Sequence, residues 1–186
     1  MALMSLVARL GTSDNIEPVA DLSELVSTFD ISHFSRGTAK FDPRELRRLN
    51  GKLLHDTPFD QVVARLGDLG LGEADEAFWN TVRPNLELLP DSLILWKVIH
   101  GPIKPVCDDL DFTQKAADLL PAAPWDIDTW KQWTAAVKDA TGAKGKVLFL
   151  PLRLALTGLD HGPEMKNLLP LIGPERAKAR LRGEAA

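Results

Sequence analysis

The sequence predicts an all-α fold of about ten short-to-medium helices, arranged as one large or two smaller helical subdomains. Three observations carry this. Apolar residues recur at spacings of three and four along most of the 186 residues, the period of one helix face. Helix-start pairs such as Asp42-Pro43 and helix-end glycines such as Gly11 punctuate the pattern. No series of evenly spaced alternating segments suggests a sheet.

Taken in order, Leu3, Leu6, Val7 and Leu10 lie on one helix face that Gly11 ends. Asp21 or Ser23 can cap a short helix carrying Leu22, Leu25, Val26 and Phe29. Residues 31–40 read as a connector. Asp42-Pro43 then starts a helix with Leu46, Leu49, Leu53 and Leu54 inward and Arg44, Arg47, Arg48 and Lys52 outward. Asp56-Thr57-Pro58 starts another, with Phe59, Val62, Val63 and Leu66 inward. Ala74–Leu89 reads as one helix through Phe78, Val82, Leu86 and Leu89, kinked or broken at Pro84. Asp91 is expected to cap the next, which Gly101-Pro102 closes, and residues 102–111 form a loop. Further helices are expected at Phe112–Leu120, Asp126–Thr141, Glu164–Leu171 and Glu175–Arg182. Lys146–Thr157 is either a kinked helix or two turns around Pro151, and the tail Gly183–Ala186 is expected to fray.

Hydrophobic residues make up 45% and charged residues 26%, which suits a folded soluble domain and argues against disorder. No run is long and apolar enough to span a bilayer, and no membrane partner is expected. Met1–Leu10 lacks a basic leader and a cleavage site, so it reads as an amphipathic helix. The single cysteine, Cys107, excludes an intrachain disulfide and fits a reducing cytoplasm. The net charge is −4, yet residues 31–52 and 144–186 each carry +4, leaving −12 on the rest. Such a split steers a polyanion towards selected faces.

The four histidines, His33, His55, His100 and His161, are too far apart in sequence for a compact metal motif. There is no phosphate-cradling glycine loop and no nucleophile elbow. Carboxylate pairs such as Asp108-Asp109 read as loop and helix-start charges. No catalytic residue, metal ligand or cofactor site is therefore expected, and binding is favoured over catalysis.

Three segments resemble one family. LMSLVARLGTS (Leu3–Ser13) is similar to the apolar helix that follows the ATP-site signature loop of bacterial-type glutamyl-tRNA synthetases. FDISHFSRGTAKFDPRELRRLN (Phe29–Asn50) is similar to that family's connector and the helix ending Leu-Asn. KGKVLFLPLRLALTGLDHG (Lys144–Gly162) resembles its C-terminal Pro-Leu-Arg-x-Ala-x-Thr-Gly block. The resemblance implies the C-terminal part of a class I aminoacyl-tRNA synthetase: a stem-contact segment (1–40) and two anticodon-binding helical subdomains (41–105 and 106–186). It implies tRNA-Glu as partner and a cytoplasmic place in translation. ATP and Mg serve the full-length enzyme, whose catalytic domain is not expected in this chain.

By the same resemblance Arg83 and the block Pro151, Leu152, Arg153, Thr157 and Gly158 face the anticodon. Arg83 is followed by Pro84 and Asn85, which depart from the family pattern. Ser35, Arg36, Lys40, Arg44, Arg47 and Arg48 suit contacts to the tRNA backbone, which position without reading sequence. The helical spacing of the five tryptophans assigns most of them to the core. The competing reading is a helical protein-interaction domain descended from a synthetase that no longer binds RNA. A small-molecule enzyme finds no constellation of residues in its favour.

Overall fold

Asp42-Pro43 starts a helix in the computed structural model, which describes all residues Met1–Ala186. The Asp42 side chain accepts from the Arg44 amide at 2.8 Å, Pro43 takes the first turn, and the helix runs to Asp56. The chain is 60% helical, with eleven α-helices and no strand. It divides into two compact units, Met1–Ser92 and Leu93–Ala186. This division by packing does not coincide with the three-part division by expected RNA contact.

In the first unit α1 (Ala2–Val7) places Ala2 and Leu6 against Leu49 of α3 (Pro43–Asp56). Leu46, Leu53 and Ile16 pack around them. Asp21, rather than Ser23, caps α2 (Leu22–Ser27), accepting from the Ser23 amide at 2.6 Å. That helix stops before Phe29. A hollow of about 420 Å³ between α1 and α2 is lined by Met4, Val7, Leu22, Val26, Phe29 and Phe34, among others. The connector holds one 3-10 turn, Ile31–His33.

Thr57 ends α3 by donating its hydroxyl to the Leu53 carbonyl at 2.6 Å, and α4 (Phe59–Asp68) follows. Val62 and Leu66 are buried, whereas Val63 turns outward. The stretch expected as one helix to Leu89 is broken. Its helical part, α5 (Glu76–Val82), gives way to 3-10 turns at Arg83–Asn85 and Leu89–Asp91, with Leu86 extended between them. Pro84 lacks an N–H and crowds a preceding carbonyl, and the α-helix gives way there to a 3-10 turn. Phe78, Val82, Leu86 and Leu89 are nevertheless all buried.

Asp91 does not cap the next helix. Its carboxylate accepts from the Leu88 amide at 2.8 Å and so closes the preceding turn. In α6 (Ser92–His100), Leu95, Val98 and Ile99 are buried while Leu93 and Ile94 are exposed. The second unit continues through α7 (Leu110–Asp118), α8 (Thr129–Thr141), α9 (Lys146–Thr157), α10 (Met165–Ile172) and α11 (Pro174–Leu181). Ile127, expected on the core face of α8, lies before the helix and is 63% exposed, because the helix begins three residues later than predicted. Trp133 is buried and donates its indole N–H to the Ala116 carbonyl of α7 at 2.9 Å. α9 is one helix with Pro151 inside it, not two turns.

Arg180 is the correction with the largest consequence. Counted with the basic C-terminal segment, it is in fact fully buried. Its guanidinium donates to the carbonyls of Val98 at 2.7 Å, Leu156 at 2.8 Å, Gly101 at 3.0 Å and Ala186 at 2.8 Å. Val98 and Leu156 belong to the last turns of α6 and α9, whose carbonyls have no partner within the helix. One cation thus caps two helix C-termini at their negative ends. Burial, with a smaller contribution from Arg176, lowers its pKa to about 10. The tail, expected to fray, is tied down by this arginine and by the Ile103 amide, which donates to Ala186 at 3.1 Å.

Candidate nucleic-acid interface

The residues expected to face an anticodon fall in both units. All but Arg83 belong to the second, on or just beyond α9. Leu152 is fully buried and acts as the wedge that fixes the helix, while Pro151 and Arg153 are half-buried. The Thr157 hydroxyl donates to the Arg153 carbonyl at 2.7 Å and accepts from the Leu159 amide at 3.1 Å, so it closes the helix end. Gly158 takes φ +71°, the left-handed cap that a Cβ disfavours, and a Cβ there would lie 3.4 Å from the Lys104 carbonyl oxygen.

These three positions aim Arg153. Its Nη2 donates to the Pro163 carbonyl at 2.8 Å, while Nη1 is buried with no hydrogen-bond partner. Burial lowers the arginine's pKa. A guanidinium with an unused donor in a poorly hydrated place has free energy to gain from an incoming acceptor. Gly162 covers it: a Cβ there would stand 3.7 Å from Nη1.

Two adjoining hollows meet at Arg153 and Phe149. One, of about 400 Å³, adds Trp130, Glu164, Met165 and Lys166. The other, of about 290 Å³, adds Lys146, Leu150 and Asp160. Phe149 is 45% exposed and its ring centroid lies 6.3 Å from that of Trp130. Trp130 in turn meets the buried Trp133 edge-on at 5.5 Å. The site therefore offers planar faces, an arginine fork, carboxylate acceptors and two exposed lysines, one of them, Lys166, paired with Glu164 at 2.6 Å. An unstacked base is recognised by groups of these kinds. Helical spacing assigned Trp130 to the core with most of the tryptophans, and Phe149 carried no signal of its own; partial exposure distinguishes both from core residues.

In the first unit Arg83 is half-buried in the 3-10 turn before Pro84, and its Nη1 donates to the Thr57 carbonyl at 2.8 Å. The indole of buried Trp79 donates to the same oxygen at 2.8 Å. The side chains expected to meet an RNA backbone differ in their freedom. Arg44 is paired with Asp42 at 3.0 Å and Arg48 with Glu45 at 2.6 Å, and these contacts lower both carboxyl pKa values. Ser35, Arg36, Lys40 and Arg47 are exposed, and the last three form no ion pair. Exposed pairs contribute little to stability and exchange readily for a phosphate partner.

No three His, Cys, Asp or Glu side chains come together. No helix is long and apolar enough to cross a membrane.

Comparison with known proteins identifies relatives and a matching domain. A family model described as an anticodon binding domain matches residues 107–184, which hold the Arg153 hollows. The chain is 54% identical over 183 residues to glutamate–tRNA ligase 1 of Parvibaculum lavamentivorans, covering 98% of this chain and 40% of that protein. It is 53% identical over its whole length to the glutamate–tRNA ligase of Azospirillum brasilense, covering 42% of that enzyme. The chain thus spans about two fifths of the length of these relatives. In fold it is similar to a glutamate tRNA ligase from Elizabethkingia meningosepticum, solved in complex with its amino acid. The TM-score is 0.77 at 17% identity, over 97% of this chain and 39% of that one. The matched domain makes residues 107–184 an anticodon binding domain, and the relatives identify the chain with the C-terminal part of glutamate–tRNA ligases.

Proposed function

We propose that the chain binds the anticodon arm of tRNA-Glu on behalf of a glutamate–tRNA ligase. The observation that carries this is the half-buried Arg153 guanidinium lining a hollow with half-buried Trp130 and exposed Phe149. One splayed base stacks on the aromatic floor while the arginine addresses its edge. Base–aromatic stacking is worth about 1–3 kcal/mol per base. Pro151, Leu152, Thr157 and Gly158 hold that arginine in place, and Arg83 addresses a base from the first unit. Ser35, Arg36, Lys40, Arg44, Arg47 and Arg48 hold the RNA backbone. The ligation chemistry, with ATP and Mg, belongs to the whole enzyme, and no step of it is assigned to residues of this chain.

The test is binding of the purified chain to tRNA-Glu and to an unrelated tRNA across a salt series. A preference for tRNA-Glu that persists at moderate salt, and that Arg153→Ala and Arg83→Ala each weaken, is expected. Equal, salt-erased binding to both RNAs would leave only nonspecific attraction. Wild-type affinity in both variants would remove the base-reading assignment.

A further inference from the structure

A second cationic hollow lies wholly within the first unit, between α3 and the chain after Pro84. Arg47, Arg48, Lys52 and His55 line one wall and Asn85 and Glu87 the other, around about 260 Å³. The walls come this close because residue 51 is glycine. A Cβ there would stand 3.1 Å from the Leu86 carbonyl oxygen, so the facing backbone would have to give by a few tenths of an ångström. Two hydrogen bonds lock the walls together: Asn50 Nδ2 donates to the Glu87 carbonyl at 2.6 Å and His55 Nε2 to that of Leu86 at 3.2 Å. A carbonyl only accepts, so Nε2 of His55 carries a proton and that ring serves the wall.

The remaining groups are not all committed. Arg48 is held by Glu45 and by the Ile16 carbonyl, and Lys52 by Glu17. Arg47 is exposed and has neither an ion pair nor a side-chain hydrogen bond, and the Asn85 carboxamide has no partner. The hollow therefore presents an open arginine fork and an open amide donor on a rigid, positively charged frame.

We propose that this hollow is a seat for a single phosphodiester of the bound RNA, with Arg47 as its charge partner, Lys52 adding attraction and the Asn85 amide donating a neutral hydrogen bond. The walls offer no aromatic plane on which a base would stack, and cationic donors outnumber acceptors, which suits a phosphate. Glu87, on the other wall, is the one carboxylate of the lining and offsets part of its positive charge. This rests on the RNA-binding reading but is separate from the base-reading hollow of the second unit.

The experiment compares the whole chain with its Arg47→Gln and Asn85→Ala variants in binding to a tRNA-Glu transcript over a potassium chloride series. Circular dichroism confirms that each variant is folded, and Lys131→Gln, an exposed lysine of α8 outside both hollows, serves as control. Arg47→Gln is expected to weaken binding about 3- to 10-fold at low salt and to lower the salt slope by about one, with a smaller loss and no slope change for Asn85→Ala. The control should match the wild type. Wild-type binding with an unchanged slope in Arg47→Gln overturns the phosphate seat alone. No binding by the wild type at any salt overturns the RNA reading and the seat with it.

Discussion

Arg180 offers the sharpest test of how the second unit is held together. Replacing it with Met keeps an apolar stem of similar length and removes the guanidinium. The energetic consequence follows from two opposing quantities. Depression of the pKa from the ordinary arginine range to about 10 corresponds to a burial penalty of about 3 kcal/mol. The folded chain binds fewer protons than the unfolded chain between about 10 and the ordinary arginine value. That penalty is therefore fully present at neutral pH and is relieved only above about 10. Met escapes it. Four charge-assisted hydrogen bonds to the carbonyls of Val98, Leu156, Gly101 and Ala186 are lost in exchange. At about 1.5 kcal/mol each they outweigh the relief by about 3 kcal/mol. Because the acceptors are main-chain atoms, no compensating substitution removes them.

Urea unfolding followed by tryptophan fluorescence, with Trp130 and Trp133 in this unit, measures the effect. With an m value of about 2 kcal/mol/M, the midpoint of the second unit should fall by about 1.5 M. Arg180→Lys should do no better. A buried ammonium is more strongly hydrated than a guanidinium and lacks the planar fork that reaches four oxygens. An unchanged or raised midpoint in Arg180→Met would refute the capping argument, and full rescue by lysine would show that charge alone matters.

Two further predictions concern the helix end beside Arg153 and the connector of the first unit. Thr157→Val keeps the shape but removes both hydrogen bonds of the hydroxyl; a loss of about 1 kcal/mol in urea unfolding is expected, and no loss would mean that the hydroxyl is free to meet RNA. Asp14 accepts from His33 Nδ1 at 2.9 Å and from Arg9 at 3.3 Å, which raises the His33 pKa and lowers that of Asp14. The His33 contribution to stability is fully present below 6.5 and is lost as pH rises through the raised value. The Asp14 contribution is present above 3.8 and is lost as pH falls through the lowered one. An NMR titration should find His33 protonating above 6.5, with the slowest amide exchange around Ile31–Phe34 between the two transitions. A His33 midpoint at or below 6.5 would dissolve this clasp.

Most of the fold was legible because it rests on local rules. Asp42-Pro43 and Asp21 act through their own backbone chemistry, and the apolar faces of α3 and α5 follow from period alone. Failures came where a distant partner decides. Asp91 could cap forwards or backwards, and the amide of Leu88 takes it. Arg180 has the same local surroundings as any surface arginine, and only carbonyls some 24 and 82 residues away reveal its burial. For the site, the motif around Arg153 was visible as a resemblance. The aromatic floor was not, since Trp130 and Phe149 come from different helices and neither has a signature of its own. The hollow at Gly51 was equally hidden, because a mid-helix glycine says nothing of which backbone approaches it.

The oxygen of Thr57 has one more consequence. Two donors, the indole of Trp79 and the guanidinium of Arg83, divide its lone pairs. Any event that draws Arg83 away leaves the carbonyl wholly to the indole, strengthens that bond and shifts the tryptophan's emission. Trp79 is completely shielded from solvent, so quenchers do not blur the signal. A variant that keeps Trp79 as its one tryptophan of the five would read the departure of Arg83 as a shift in emission.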